Sequence, residues 1–91
     1  MERRMMRLSG IVQGVGFRAF VYGLACEMKL AGFVRNDGRD VLIEAEGQPE
    51  LLEQFARRVV SECPRRARVD HVQTERVEPT GAAGFVIERS R

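Results

Sequence analysis

Apolar and polar positions along the chain follow two rhythms in turn. From Met5 to Val12 the period is two, with Met6, Leu8 and Val12 on one face and Arg7 and Ser9 on the other. That is a strand, and Gly10 marks an irregularity near its end. From Phe17 to about Leu30 the period lengthens, and Phe17, Phe20, Val21, Leu24, Ala25 and Met28 form one helical stripe that Gly32 is expected to end. A short strand from Phe33 to Asn36 meets an Asp37-Gly38 turn, and Val41 to Glu46 returns until Gly47 stops it. Pro49 suits the first turn of a second helix, which carries Leu51, Leu52, Phe55, Ala56, Val59, Val60 and Cys63 and halts at Pro64. A fourth strand runs from about Arg68 to Glu78, and its broken alternation at Asp70-His71-Val72 predicts a bulge. Phe85-Val86-Ile87 makes a short closing strand.

The order β-α-β-β-α-β with one extra strand predicts a single α+β domain over residues 1–91. Its expected form is a ferredoxin-like sandwich: an antiparallel sheet, two helices on one face, and a short extra C-terminal strand. Right-handed crossovers make the first two strands point the same way, with the third antiparallel between them. The exits of the first and second strands then share one end of the sheet, two strand spacings or roughly 10 Å apart. Arg18 and Asn36 are thereby expected around one site.

The turn from the first strand into the first helix reads Gly10-Ile11-Val12-Gln13-Gly14-Val15-Gly16-Phe17-Arg18. Bare amides and the positive end of a helix dipole there suit a phosphate-sized anion. Arg18 can fork over two of its oxygens. No Gly-Lys-Ser/Thr follows, the dinucleotide pattern lacks its third glycine, and the loop holds no cysteine. On spacing alone, the favoured reading is a tight connection whose glycines only let helix and strand pack.

The segment GIVQGVGFR resembles the signature of the acylphosphatase family, and GFVRN, Gly32 to Asn36, resembles that family's second signature at the usual separation. The likeness runs over nearly the whole chain. Gly14 to Tyr22, Arg35 to Asp37 and Ala67 to Val72 are most similar to the N-terminal acylphosphatase-like domain of the hydrogenase-maturation carbamoyltransferase. Ala19 departs from that subgroup, which carries proline there. The resemblance implies hydrolysis of acyl phosphates without metal or cofactor. It implies that Arg18 binds the phosphate, that Asn36 orients the attacking water, and that the amides of Gln13, Gly14, Val15, Gly16 and Phe17 complete the cradle. The residues agree with this: a carboxylate whose acid has a pKa of about 4 leaves unaided, whereas a phosphate monoester needs a general acid or a metal. Taken singly, Arg18 reads as a solvated helix arginine and Asn36 as a turn residue; the joint signature supports the functional roles. The Gln13 side chain reads as structural, His71 as a surface residue, Asp37 and Asp40 as hairpin formers, and Tyr22 and Phe20 as helix packing.

Composition narrows the remaining classes. Net charge is +2, and Lys29 is the sole lysine among many arginines. These arginines are not interleaved with exposed aromatics, so no nucleic-acid partner is expected. No apolar run reaches the length of a membrane span and no signal-peptide pattern opens the chain, so a cytoplasmic protein is expected. Cys26 and Cys63 fall in apolar helical patterns and read as reduced core residues. The expected partners are a small acyl phosphate, or carbamoyl phosphate where further domains of a larger carbamoyltransferase are present, and inorganic phosphate as product. A non-catalytic anion-binding module and a ferredoxin-like RNA binder are the competing classes.

Overall fold

The computed structural model describes residues 1–89. Its elements are β1 (Glu2–Ile11), α1 (Phe17–Glu27), β2 (Ala31–Asp37), β3 (Asp40–Gly47), α2 (Pro49–Ser61), β4 (Arg68–Val77) and β5 (Phe85–Ile87). The sheet order is β4-β1-β3-β2-β5. Both β1 and β2 pair antiparallel with β3, as the crossover argument requires, and Leu8 and Asn36 both stand opposite Val41. β5 departs from the expected all-antiparallel sheet by pairing parallel to β2, with Val34 opposite Ile87. Its chain arrives from the far end of the sheet through residues 78–84, which sets that direction.

Period-two alternation buries Met6 and Leu8 of β1, Val34 of β2 and Val41 and Ile43 of β3 on one face of the sheet. Phe17, Val21 and Leu24 of α1 and Leu52, Phe55 and Val59 of α2 cover that face. Each such large side chain contributes about 1.5–3 kcal/mol by leaving water. Pro49 opens α2, and Glu50 in its first turn and Arg58 in its last complement the helix dipole. Cys63 packs partly against the core, but Cys26 and Tyr22 are exposed, because α1 turns their positions away from the sheet. Val60 also faces outward, at the margin of its stripe.

The helix-free face is polar. Arg3, only 5% exposed, donates to Glu44 at 2.7 Å and to Glu46 at 3.0 Å. The Glu46 carboxylate also accepts from the backbone N–H groups of Thr80 (2.8 Å) and Gly81 (2.9 Å), which fastens the segment leading to β5 onto the sheet. These amides, with Arg3 behind them, hold the Glu46 carboxyl below its ordinary value.

Of two local expectations, one holds and one changes. The bulge is present: Ser9 pairs with His71 and Gly10 with Val69, so Asp70 is the extra residue. α1, however, stops at Glu27, before the expected Leu30, and Lys29 rather than Gly32 takes the left-handed position, with φ 57°. Lys29 N–H donates to Cys26 and Leu30 N–H to Ala25, which closes the helix in a Schellman motif. Gly32 lies inside β2, where a Cβ would stand 1.9 Å from the Glu44 carbonyl oxygen. Its glycine answers to close strand contact.

Candidate active site

β1 ends at Ile11 and the chain turns through residues 12–16 into α1. Gly14 (φ 73°) and Gly16 (φ 78°) are both left-handed, a conformation that costs other residues roughly 1–2 kcal/mol. A Cβ at either position would meet nothing within 4 Å, so the backbone conformation, rather than crowding, calls for glycine. Gly16 is the N-cap of α1, no side chain caps the helix, and its first turn holds no acidic residue. The first turn therefore presents amide hydrogens and the positive end of the dipole without a competing carboxylate.

Asn36 lies on the core-facing side of β2, one residue before its end. Its Oδ1 is buried and has no hydrogen-bond donor among the described residues. Leaving a buried acceptor unpaired costs about 1–3 kcal/mol, which singles this atom out. Around it the hairpin turn is tied down from two sides. On the helix-free side, Arg7 of β1 donates to Asp37 at 2.6 Å and to Asp40 at 3.4 Å, bridging two carboxylates that face each other in register. The Asp37 hydrogen bond, helped by Asp40, raises the Arg7 guanidinium above its ordinary value. From the loop, Gln13 Nε2 donates to the carbonyls of Gly38 and Asp40, at 2.8 Å each.

Loop, helix and strand line an open cavity of about 310 Å³. Gln13, Gly14 and Gly16 form its loop wall, Phe17, Arg18 and Ala19 its helix wall, and Asn36 its strand wall. The guanidinium of Arg18 makes no hydrogen bond or ion pair with any described residue. Arg18 and Asn36, predicted around one site, thus line one cavity. Val15 instead packs against the core. Ile87 of β5 completes the wall, a residue that sequence reasoning left unassigned because its parallel pairing with β2 has no local signal. A larger cavity, about 420 Å³, lies by Cys26 and Lys29 at the other end of α1, but its carboxylate, Glu46, is already held by Arg3 and two amides.

The family model for acylphosphatase matches residues 4–87. The chain belongs to the acylphosphatase family. It is 48% identical over 91 residues to carbamoyltransferase HypF2 of Cupriavidus necator, an alignment covering 98% of this chain and 11% of that protein. It is 41% identical over 91 residues to the acylphosphatase of Methanospirillum hungatei, covering 98% of this chain and 99% of that one. Among solved structures, the acylphosphatase from Bacillus subtilis superposes with a TM-score of 0.91 at 33% identity, covering 97% of this chain and 99% of that one. The chain thus spans about a tenth of the carbamoyltransferase and nearly all of the free-standing acylphosphatase of Methanospirillum hungatei. The ferredoxin-like fold and the family expected from the two signatures both stand. Among the described residues, no helix is long and apolar enough to cross a membrane.

Proposed function

We propose that this acylphosphatase hydrolyses the carboxyl–phosphate anhydride of acyl phosphates in the cavity between the glycine loop and Asn36. The observation that carries the reading is that Arg18, free of any described partner, and Asn36, whose Oδ1 is buried and unpaired, line one cavity. The phosphoryl group sits on the amides of Gln13 to Phe17, and Arg18 forks over its oxygens, a charge-assisted pairing that strengthens as charge shifts in the transition state. Asn36 holds a water through its side-chain amide, which aims a lone pair of that water at phosphorus. The oxygen–phosphorus bond to water forms as the bond to the acyl oxygen breaks. The carboxylate leaves with the bonding electrons, and the proton of the attacking water passes to a phosphate oxygen of the substrate. Positioning and charge stabilisation carry the step because the leaving group needs no acid.

Where such a domain forms part of a larger carbamoyltransferase, as the similarity to HypF2 supports, carbamoyl phosphate is the substrate this site meets and hydrogenase maturation is the setting. Assaying the protein with acetyl, benzoyl and carbamoyl phosphate beside a phosphate monoester tests the reading. Turnover of the anhydrides and not of the monoester is expected. Binding of inorganic phosphate with no turnover of any anhydride would make the site a non-catalytic anion module.

A further inference from the structure

Catalysis at this site requires two separately built halves to keep one distance. The phosphate half is local: the left-handed glycines and the N-terminus of α1 shape it, and Arg18 stands on α1 itself. The water half belongs to β2, whose Asn36 is reached from the loop only across β3, two strand spacings or roughly 10 Å away. Sheet pairing alone fixes the strand but leaves the residues beyond it at a turn, 38 and 39, outside the ladder. The Gln13 side chain spans this gap. Its Nε2 gives one hydrogen to the Gly38 carbonyl and the other to the Asp40 carbonyl, so both donors of the amide are used on the turn. Arg7 grips the same turn through Asp37 and Asp40 side chains from the helix-free side.

We propose that Gln13 is a positioning residue for the hydrolytic step: its side chain staples the phosphate loop to the hairpin and sets the spacing between the bound phosphoryl group and the water on Asn36. The inference rests on the acyl-phosphate reading of the cavity. It gives Gln13 two separate duties, a backbone amide in the cradle and a side-chain amide that donates to two hairpin carbonyls. Losing the side chain therefore spares the phosphate half, which is built by local backbone conformation, and loosens the relation between the halves. Misplacement by about 1 Å can lower a rate on the order of 10²-fold.

The test compares Gln13→Met, which keeps length without donors, and Gln13→Glu, which sets a carboxylate against two carbonyls, with the parent. It measures kcat and KM for benzoyl phosphate, inhibition by inorganic phosphate, and thermal melting. For Gln13→Met the expected result is a kcat lower by roughly tenfold, with phosphate inhibition within about twofold of the parent and a folded protein at the assay temperature. Gln13→Glu should lose more, because repulsion replaces attraction. A Gln13→Met enzyme with parental kcat overturns the inference, and so does a loss of phosphate affinity in step with kcat. A lowered melting temperature with unchanged kcat would make the contact purely structural and likewise overturn it. Arg18→Ala serves as the control for the underlying reading: if that variant keeps parental turnover, the cavity assignment itself fails, whatever Gln13 does.

Discussion

Arg18 and Asn36 line the same cavity although seventeen residues, 19 through 35, lie between them in the chain. Neither position is special in its own element. One is the second residue of a helix, the other a strand residue before a turn. The crossover through α1 brings them together, since it returns β2 parallel to β1 with β3 between.

Asn36→Ala is expected to separate binding from chemistry. With the water no longer aimed, kcat for benzoyl phosphate should fall on the order of 10²–10³-fold, while inhibition by inorganic phosphate stays within about twofold. Stability should not fall with the rate, because the substitution also removes a buried acceptor that has no described donor. Phosphate inhibition that weakens in step with kcat would remove Asn36 from its water-orienting role.

Lys29 offers a test of the fold independent of the site. It ends α1 at φ 57°, where a side chain pays roughly 1–2 kcal/mol against glycine. Glycine's greater freedom in the unfolded chain offsets up to about 1 kcal/mol of that difference. Lys29→Gly should therefore raise the stability to urea by about 0.5–1 kcal/mol and leave kcat unchanged. A less stable variant would contradict the Schellman assignment.

How much of this could be read from sequence differs by interaction range. Helical and strand periodicity located all seven elements, and turn chemistry located the hairpin, because these signals are local. The helix end was misplaced because Gly32 looked like the natural left-handed residue, whereas its Cβ-free space is needed by the Glu44 carbonyl across the ladder. The apolar pattern places Cys26 in the core and Tyr22 in helix packing, but α1 meets the sheet with one face only, and both residues stay in water. For the site, two short motifs pointed to Arg18 and Asn36. The grip of Gln13 and Arg7 on the turn, and the place of Ile87 in the cavity wall, depend on tertiary contacts that no spacing encodes.

Glu46 predicts the acid limb of stability. The Thr80 amide foremost, with the Gly81 amide and Arg3, lowers its folded-state value, against an ordinary value of 4.5. A lowered folded value means that the stabilisation is fully present above the unfolded value and is lost as pH falls through the folded one. Urea unfolding of Glu46→Gln should show a shallower loss of stability than the parent as pH drops below about 4.5, and lower stability at neutral pH. Parallel pH curves for the two proteins would show that the contact does not couple to folding.

The most direct measurement is kcat/KM of Arg18→Ala on benzoyl phosphate beside the parent, with inorganic phosphate as inhibitor and circular dichroism as the control for folding. Arg18 has no described structural partner, so its removal should leave the fold intact, lower kcat/KM on the order of 10²–10³-fold and weaken phosphate inhibition together with it. A folded Arg18→Ala protein that turns over benzoyl phosphate at the parental rate would contradict the account.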